Sequence, residues 1–178
     1  MDALPKIEAI PENLLRAPLD FLFADHFRQM LVCNYLDAIA EERGTERAKL
    51  LAATARAYLT QDLPLHIADE ETDLFPRLRR LAQADAALTD IFAILADEHR
   101  EDLRLATPLL AGLEQVSRGL AAAPDFASTV AAFTAMQRRH IIWENSIVLP
   151  HARRSLTDTD LESVGRGMAA RRSVEFAR

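Results

Sequence analysis

The segment H-I-A-D-E-E-T-D-L-F-P at residues 66–76 recurs as H-I-I-W-E-N-S-I-V-L-P at residues 140–150. Each copy begins with a His and carries a Glu four residues later. On a helix, residues i and i+4 lie on one face, with their Cβ atoms about 5–6 Å apart. Each copy therefore directs an imidazole and a carboxylate toward one point, which is how a helix offers two ligands to a metal ion.

Two further histidines extend the repeat. His26 precedes His66 by nearly as many residues as His99 precedes His140. The chain thus contains two copies of one unit: a helix with a single His, a turn, and a helix with the His-x-x-x-Glu pair. Two such hairpins form a four-helix bundle whose core can hold metal ligands. The candidate ligands, which suit two metal ions better than one, are His26, His66, Glu70, His99, His140 and Glu144.

Composition and charge limit the class of protein. A chain of 178 residues with 49% hydrophobic and 27% charged residues is typical of a single soluble domain. The net charge of −6 argues against nucleic acid and membrane surfaces as partners. The single cysteine excludes an internal disulfide framework and a cysteine-based zinc site. The first residues lack a signal-peptide pattern, and no apolar stretch is long enough to span a bilayer, so we expect a cytoplasmic protein.

The predicted fold is all-α. We expect an irregular N-terminal arm at residues 1–18, an up-down four-helix bundle at residues 19–155, and a short C-terminal helix at residues 156–178 that packs on the bundle or extends from it. The predicted bundle helices run from about Leu19 to Arg43, Thr45 to Leu81, Thr89 to Ser117 and Asp125 to Pro150.

Prolines and periodicity add local expectations. Pro64 should kink the second helix just before His66, and Pro76 and Pro150 should mark a bend or the end of a helix, because proline removes a backbone donor. The spacing of apolar residues predicts inward-facing stripes on the first and third helices. These stripes include Phe23 and Leu103 among their members.

The ligand types indicate the metal and exclude two known kinds of site. Buried imidazoles and carboxylates are costly unless they are paired or bound to a metal. Imidazole and carboxylate without thiolate suit iron, and tolerate manganese or zinc. A carboxylate bridge between two ions is the natural use of Glu70 and Glu144. The chain has no H-E-x-x-H motif, which leaves a zinc protease unsupported, and no Glu-x-x-His pair of the ferritin-like type.

With these motifs, the chain resembles the hemerythrin-like, or HHE cation-binding, domain over roughly residues 19–152. The L-F-P and V-L-P endings of the two repeated segments also recur in such proteins. The resemblance implies a four-helix bundle with a non-haem di-iron centre, in which the six candidate ligands hold two iron ions. It also implies a protein that binds O2 or a related small molecule, for sensing, iron handling or redox and nitrosative protection.

The sequence departs from oxygen-carrying hemerythrins on the third helix. They have a second His one turn after the first, where this chain has Leu103. This argues against oxygen carriage, and leaves an open position, a water, or a nearby carboxylate. The carboxylates that could ligate there or support the ligands are Asp102, Glu98, Glu71 and Asp62. Three aspartates are candidates to hold the outer nitrogens of the histidines: Asp25, Asp62 and Asp97.

Two other classes of function remain open. The same centre would serve an enzyme that reduces peroxide, nitric oxide or O2 with an external electron donor. A helical interaction module would instead use its histidines only for structure and bind no metal. The oligomeric state is left open by the sequence.

Overall fold

A computed structural model describes residues 6–82 and 85–176, and all regular structure within these ranges is helical. The elements, in chain order, are a 3-10 helix Glu12–Arg16, α1 Pro18–Glu41, α2 Glu46–Gln61, α3 Leu63–Ala68, a first π-helix Asp69–Leu74, α4 Phe75–Leu81, α5 Ala86–Ser117, α6 Phe126–Trp143, a second π-helix Glu144–Val148, α7 Leu149–Ser155 and α8 Asp158–Arg171.

The long elements form the predicted up-down four-helix bundle. Its four rods are α1, the run from α2 to α4, α5, and the run from α6 to α7. Adjacent rods are antiparallel: Arg153 donates to Asp20 near the beginning of α1, whereas Arg138 donates to Asp37 near its end. The other bundle contacts, of α2 with α1 and α5 and of α5 with α6, join the remaining neighbours.

Local signals set several of the helix boundaries. Gly44 follows α1 with φ +89°, a conformation that glycine adopts without strain. The side chain of Thr45 then accepts a hydrogen bond from the backbone of Ala48 at the start of α2. Thr157 and Asp160 form a reciprocal capping box at the start of α8. Asp125 occupies the predicted cap position of α6, but its side chain makes no capping bond.

Two apolar cores lie on either side of a polar belt. Along α1, for example, the buried polar residues Asp25, His26 and Gln29 lie between the apolar Leu22 and Val32. One core consists of the C-terminal halves of α1 and α5 together with α2 and the N-terminal part of α6. The other joins the beginning of α1 to α4, α7, α8 and the beginning of α5. The belt between the cores is where the candidate ligands lie.

The second rod extends past Pro76 to Leu81 as predicted, whereas the prediction that the fourth helix ends at Pro150 is wrong. Both rods continue past these prolines, to Leu81 and Ser155. Each proline occupies the first turn of a new α-helical segment, where its missing N–H leaves no intrahelical bond unmade. The predicted kink before His66 is confirmed as an interruption between α2 and α3.

The π-helices explain how the rods accommodate these prolines. The N–H of Phe75 donates to the carbonyl of Glu70, and that of Leu149 donates to the carbonyl of Glu144. Each bond spans five residues rather than four, so one extra residue enters the turn. Each wide turn thus begins at or beside a candidate metal ligand, a position at which π turns are frequently functional.

Two residues predicted to face inward do not. Phe23 is 41% exposed and Leu103 is 69% exposed. On α5 the residue that faces the core beside His99 is Asp102, not Leu103. The i+3 and i+4 positions lie on opposite sides of residue i on the same helix face, about 100° apart, and the packing here turns Asp102 inward and Leu103 outward. Among the described helices, none combines the length and apolar character needed to cross a membrane.

Candidate metal centre

The six candidate ligands converge in the polar belt, and each is at most 4% exposed. Their donor atoms form two groups of four, and within each group all the atoms lie within 4.8 Å of one another. The first group is His26, His66, Glu70 and Glu144, and the second is Glu70, His99, His140 and Glu144. The two groups share both glutamates, and each has two imidazoles of its own.

Glu70 reaches both groups through different oxygens. Its Oε1 lies 3.4 Å from Nε2 of His66 and 3.9 Å from Nε2 of His26. Its Oε2 lies 3.3 Å from Nε2 of His99. One oxygen therefore faces each group, which is the arrangement of a carboxylate that can bridge two ions.

Glu144 makes the matching contacts from the opposite hairpin. Its Oε2 lies 3.1 Å from Nε2 of His26, and its Oε1 lies 3.0 Å from Nε2 of His140. The two Nε2 atoms of the second group, on His99 and His140, are 3.1 Å apart. His26 thus lies closer to Glu144, on the other hairpin, than to Glu70, on its own hairpin. The ligands of the two hairpins are therefore in direct contact.

Several of these atoms are buried without a hydrogen-bond partner. They are Nε2 of His26, Nε2 of His66, Oε2 of Glu70 and both carboxylate oxygens of Glu144. Buried polar atoms are normally hydrogen-bonded, whereas these atoms have only the imidazole–carboxylate ion-pair contacts given above. Cations placed in the two groups would give these atoms partners, so the residues fit a pair of metal ions.

His66 and His140 each direct Nδ1, the ring nitrogen that faces away from the centre, toward an acidic residue. That residue directly precedes His26 in one case and His99 in the other. Nδ1 of His66 lies 3.0 Å from Oδ2 of Asp25, and Nδ1 of His140 lies 3.0 Å from Oε2 of Glu98. Arg28 in turn donates to Asp25, and Arg139 donates to Glu98. These contacts stay within one hairpin and orient Nε2 toward the centre.

The Nδ1 atoms of His99 and His26 contact the residues that directly follow Glu70 and Glu144 in the sequence. Nδ1 of His99 lies 2.9 Å from Oε1 of Glu71, and Nδ1 of His26 lies 2.6 Å from Oδ1 of Asn145. These contacts join one hairpin to the other. Asn145 was not predicted, although the repeated segment itself has Glu or Asn at this position.

The remaining predictions for supporting carboxylates have mixed outcomes. Glu71 and Glu98 lie outside both groups of donor atoms and support histidines instead, as Asp25 does. The side chain of Asp62 accepts a hydrogen bond from Arg28, and only its backbone carbonyl contacts a histidine, by accepting from the N–H of His66. Asp97 is exposed and pairs with a neighbouring arginine on its own helix. The carboxylates of both aspartates pair with arginines instead of with the histidines' ring nitrogens.

Asp102 is buried beside the centre but belongs to neither group. Its Oδ1 accepts a hydrogen bond of 2.6 Å from Nε2 of Gln137. Burial raises the pKa of this carboxyl to about 6, although the bond from Gln137 acts in the opposite direction. The inward position on α5 is therefore filled by a carboxyl that lies near the candidate ligands without joining them.

Protonation of the metal-free site follows from its mixed charges. Burial alone would lower the pKa of His26, but the Glu144 and Glu70 carboxylates raise it to about 9. The pKa of His99 is likewise raised to about 9 against the effect of burial, by Glu70 and Glu71. Metal ligation requires neutral imidazoles, so metal binding here must release protons.

The family comparison agrees with this geometry. The model of the Hemerythrin HHE cation binding domain matches residues 17–152. The chain belongs to this family. Neither a comparison with curated proteins nor one with solved structures gives a match. Membership in a cation-binding family and two buried His/Glu groups together indicate a metal site in the bundle core.

Proposed function

We propose that this HHE-domain protein binds two iron ions and uses them to bind O2 or a related small molecule, in sensing, iron handling or redox and nitrosative protection. The first ion would be held by His26 and His66, and the second by His99 and His140, with Glu70 and Glu144 bridging. The observation that carries the proposal is the sharing of both buried glutamates between two four-atom groups.

The donor set favours iron among the available metals. Each ion would have two imidazole nitrogens and two carboxylate oxygens, without a thiolate. This combination suits iron, and manganese or zinc would also be accepted. Iron bound here would supply redox chemistry and coordination positions open to a small ligand.

The protein's own part is to orient the ligands and keep water out. Each histidine has a hydrogen-bonding or ionic partner at Nδ1, and three of the four partners are carboxylates. Such partners fix the tautomer with a free Nε2 and increase its basicity toward a metal. The apolar cores on both sides separate the polar belt from solvent. A cytoplasmic location and a small-molecule partner belong to the same proposal.

Metal analysis tests the first half of the proposal. We expect about two iron ions per chain after anaerobic reconstitution and desalting. A surface variant such as Asp97→Ala is the matched control, because Asp97 pairs only with exposed Arg100, and it should bind the same amount. Less than one ion per chain in the wild type would contradict the proposal.

Visible absorption tests the second half. Adding O2 or nitric oxide to the reduced, iron-loaded protein should produce a new absorption band. The same addition to chelator-treated protein should produce none. An iron-loaded protein whose spectrum responds to neither gas would contradict small-molecule binding while leaving iron binding intact.

A second candidate function is enzymatic reduction of peroxide, nitric oxide or O2 with an external electron donor. It is favoured by Glu71, whose side chain is 30% exposed and also contacts Nδ1 of His99. A carboxylate that reaches both solvent and a candidate ligand gives protons a short route to the site. Turnover with a chemical reductant tests this candidate, and stoichiometric binding without turnover would contradict it.

A metal-free interaction module is disfavoured by the match to a cation-binding family and by the buried imidazole and carboxylate atoms that lack hydrogen bonds. This alternative predicts that a chelator leaves the melting temperature unchanged. The proposed function predicts a lower melting temperature after chelation, because a ligand stabilises the state that binds it.

A further inference from the structure

The outer surface that α1 shares with the rod of α6 and α7 carries an ion pair at each end. Near the start of α1, Asp20 pairs with Arg153, and near its end Asp37 pairs with Arg138. The four side chains are between 32% and 51% exposed, so both ion pairs lie at the surface. In each pair the acid is on α1 and the base is on the other rod. One side of this surface is therefore acidic at both ends, and the other side is basic.

Large apolar side chains are exposed between these two ion pairs. Phe27 lies two turns after Asp20 and is 65% exposed, and its ring packs edge-on against the ring of Phe23. On the other rod, Ile142 lies one turn after Arg138 and is 64% exposed. We call the surface of Phe23, Phe27 and Ile142, together with the ion pair at each end, the α1–α6 face. An exposed apolar patch with a charged rim is typical of a protein–protein interaction site.

The arrangement of charges makes the α1–α6 face complementary to itself. A two-fold axis parallel to the helices would place α1 of each copy against α6 and α7 of a second copy. Asp20 would then face Arg153 of the second copy. Asp37 would likewise face Arg138 of the second copy, and the two aromatic rings on α1 would meet Ile142. Opposite charges and apolar side chains would thus be matched along the whole face.

The charges also distinguish between the two possible directions of a second copy. With a two-fold axis perpendicular to the helices, α1 would pack against α1, and Asp20 of one copy would face Asp37 of the other. Arg153 would likewise face Arg138. Like charges in contact across an interface are unfavourable and suppress the arrangement that brings them together. The pattern therefore favours the two-fold axis parallel to the helices.

The size of the face suits a weak but specific interface. Between Asp20 and Asp37, α1 rises about 26 Å, and two packed helices are about 20 Å wide. Two such faces would together bury roughly 1,000 Å², which is at the lower limit for a specific interface. A dimer formed through this face should therefore dissociate on dilution.

We propose that two copies of this chain associate through the α1–α6 face in a two-fold symmetric dimer, in which the α1 helices of both copies run in the same direction. The interface lies over the first group of candidate ligands, because Phe27 directly follows His26, and Asn145 of the other rod contacts His26. The proposal does not depend on bound iron, since it rests on the outer surface of two rods alone.

Sedimentation equilibrium of the full chain measures this association. We expect a monomer–dimer equilibrium with a dissociation constant of about 1–100 µM, as suits an interface of this size. Phe27→Glu places a charge at the centre of the face and should raise the constant at least about tenfold. Leu103→Glu is the matched control, because Leu103 is 69% exposed but lies on α5, outside the α1–α6 face. It should change the constant by less than about twofold.

Asp20→Lys tests the direction of the second copy. In the proposed dimer the new positive charge would face Arg153 of the second copy, so the dissociation constant should rise. In the opposite direction the same charge would face Asp37, and the constant would fall. Sedimentation of this variant therefore separates the two arrangements, and a tighter dimer would overturn the proposed one.

A second variant covers the case in which Phe27→Glu folds poorly. Ile142→Glu introduces the same charge from the other rod, at a side chain that is 64% exposed, and should weaken the dimer to a similar extent. A wild type that stays monomeric at every concentration up to about 500 µM would overturn the proposal. A dimer that Leu103→Glu weakens as much as the variants on the α1–α6 face would overturn it as well.

Discussion

The two hairpins of this protein present the same ligands but differ in what surrounds them. In the first hairpin, the residue before Glu70 is Asp69, which is fully buried. It accepts hydrogen bonds from Arg171 and Arg172 at the end of α8. In the second hairpin, the matching residue is Trp143, which packs against the apolar core that contains α4, α7 and α8. The arginines at the end of α8 therefore hold the segment before Glu70 through ion pairs, whereas the matching position before Glu144 makes an apolar contact.

The comparison shows which features the two hairpins share and which occur in only one of them. The candidate ligands and their partners at Nδ1 follow the pseudo-twofold repeat: Asp25 matches Glu98, and Glu71 matches Asn145. One step further out, an arginine holds the supporting carboxylate in each hairpin, but from positions that do not match in the repeat: Arg28 on α1 and Arg139 on α6. The shared chemistry is thus confined to the ligands and the groups that touch them.

The largest expected effects concern the equivalence of the two groups of ligands. His66→Ala and His140→Ala each remove one imidazole from one group, so iron content should fall from two ions per chain to one in either variant. Glu70→Ala and Glu144→Ala remove a ligand from both groups and should lower the content below one. Metal analysis after anaerobic reconstitution measures this. A His66→Ala protein that keeps both ions while His140→Ala loses one would show that the halves are not equivalent.

The asymmetry at α8 predicts a second, smaller difference. Asp69→Ala leaves Arg171 and Arg172 without their buried partner and should lower the free energy of unfolding by about 2–4 kcal/mol. Trp143→Phe, at the matching position, should cost less than about 1.5 kcal/mol because it stays apolar. Urea denaturation of the chelator-treated proteins measures both. Arg153→Ala is the control, since its exposed pair with Asp20 contributes at most about 1 kcal/mol. Equal losses for Asp69→Ala and Arg153→Ala would contradict a fastening role.

The helix starts provide a finer contrast. Thr157 caps α8 through a reciprocal box, whereas Asp125 makes no side-chain bond at the start of α6. Thr157→Ala should therefore destabilise the protein by about 1 kcal/mol. Asp125→Ala should have an effect within about 0.5 kcal/mol, as other surface changes do. Thermal or urea denaturation compares the two variants, and a larger loss for Asp125→Ala would refute the assignment of the caps.

Cys33 gives the smallest expected effect. It lies two turns after His26, where the second hairpin has Ala106. The thiol is 1% exposed, and burial raises its pKa to about 12. Cys33→Ala, which makes the two halves alike, should leave the iron content unchanged. In the native protein the thiol should react with a disulfide reagent much more slowly than in urea, because the thiolate is the reactive form. Rapid labelling of the folded protein would contradict the buried position.

Sequence patterns were sufficient for the fold and for the convergence of the six candidate ligands. The His-x-x-x-Glu spacing fixes two side chains on one helical face, and its repetition fixes the symmetry. The choice between Asp102 and Leu103 could not be made from spacing, because both lie about one turn from His99. Only packing against the other rods decides which one faces inward.

The π-helices and the cross-hairpin partners were also beyond the sequence. An extra residue in a helical turn leaves the apolar period almost unchanged, and Pro76 within a helix was equally consistent with a simple bend. The contact of Asn145 with His26 depends on how two rods are rotated about their axes. That rotation is set by the packing of the two apolar cores rather than by a local signal.

The most direct test is anomalous X-ray diffraction at the iron absorption edge, from crystals of the reconstituted protein. The account predicts two peaks in the bundle core, one flanked by His26 and His66 and the other by His99 and His140, with Glu70 and Glu144 reaching both. Iron found only at the protein surface, or a core in which the imidazoles pair with carboxylates and no peak appears, would contradict it.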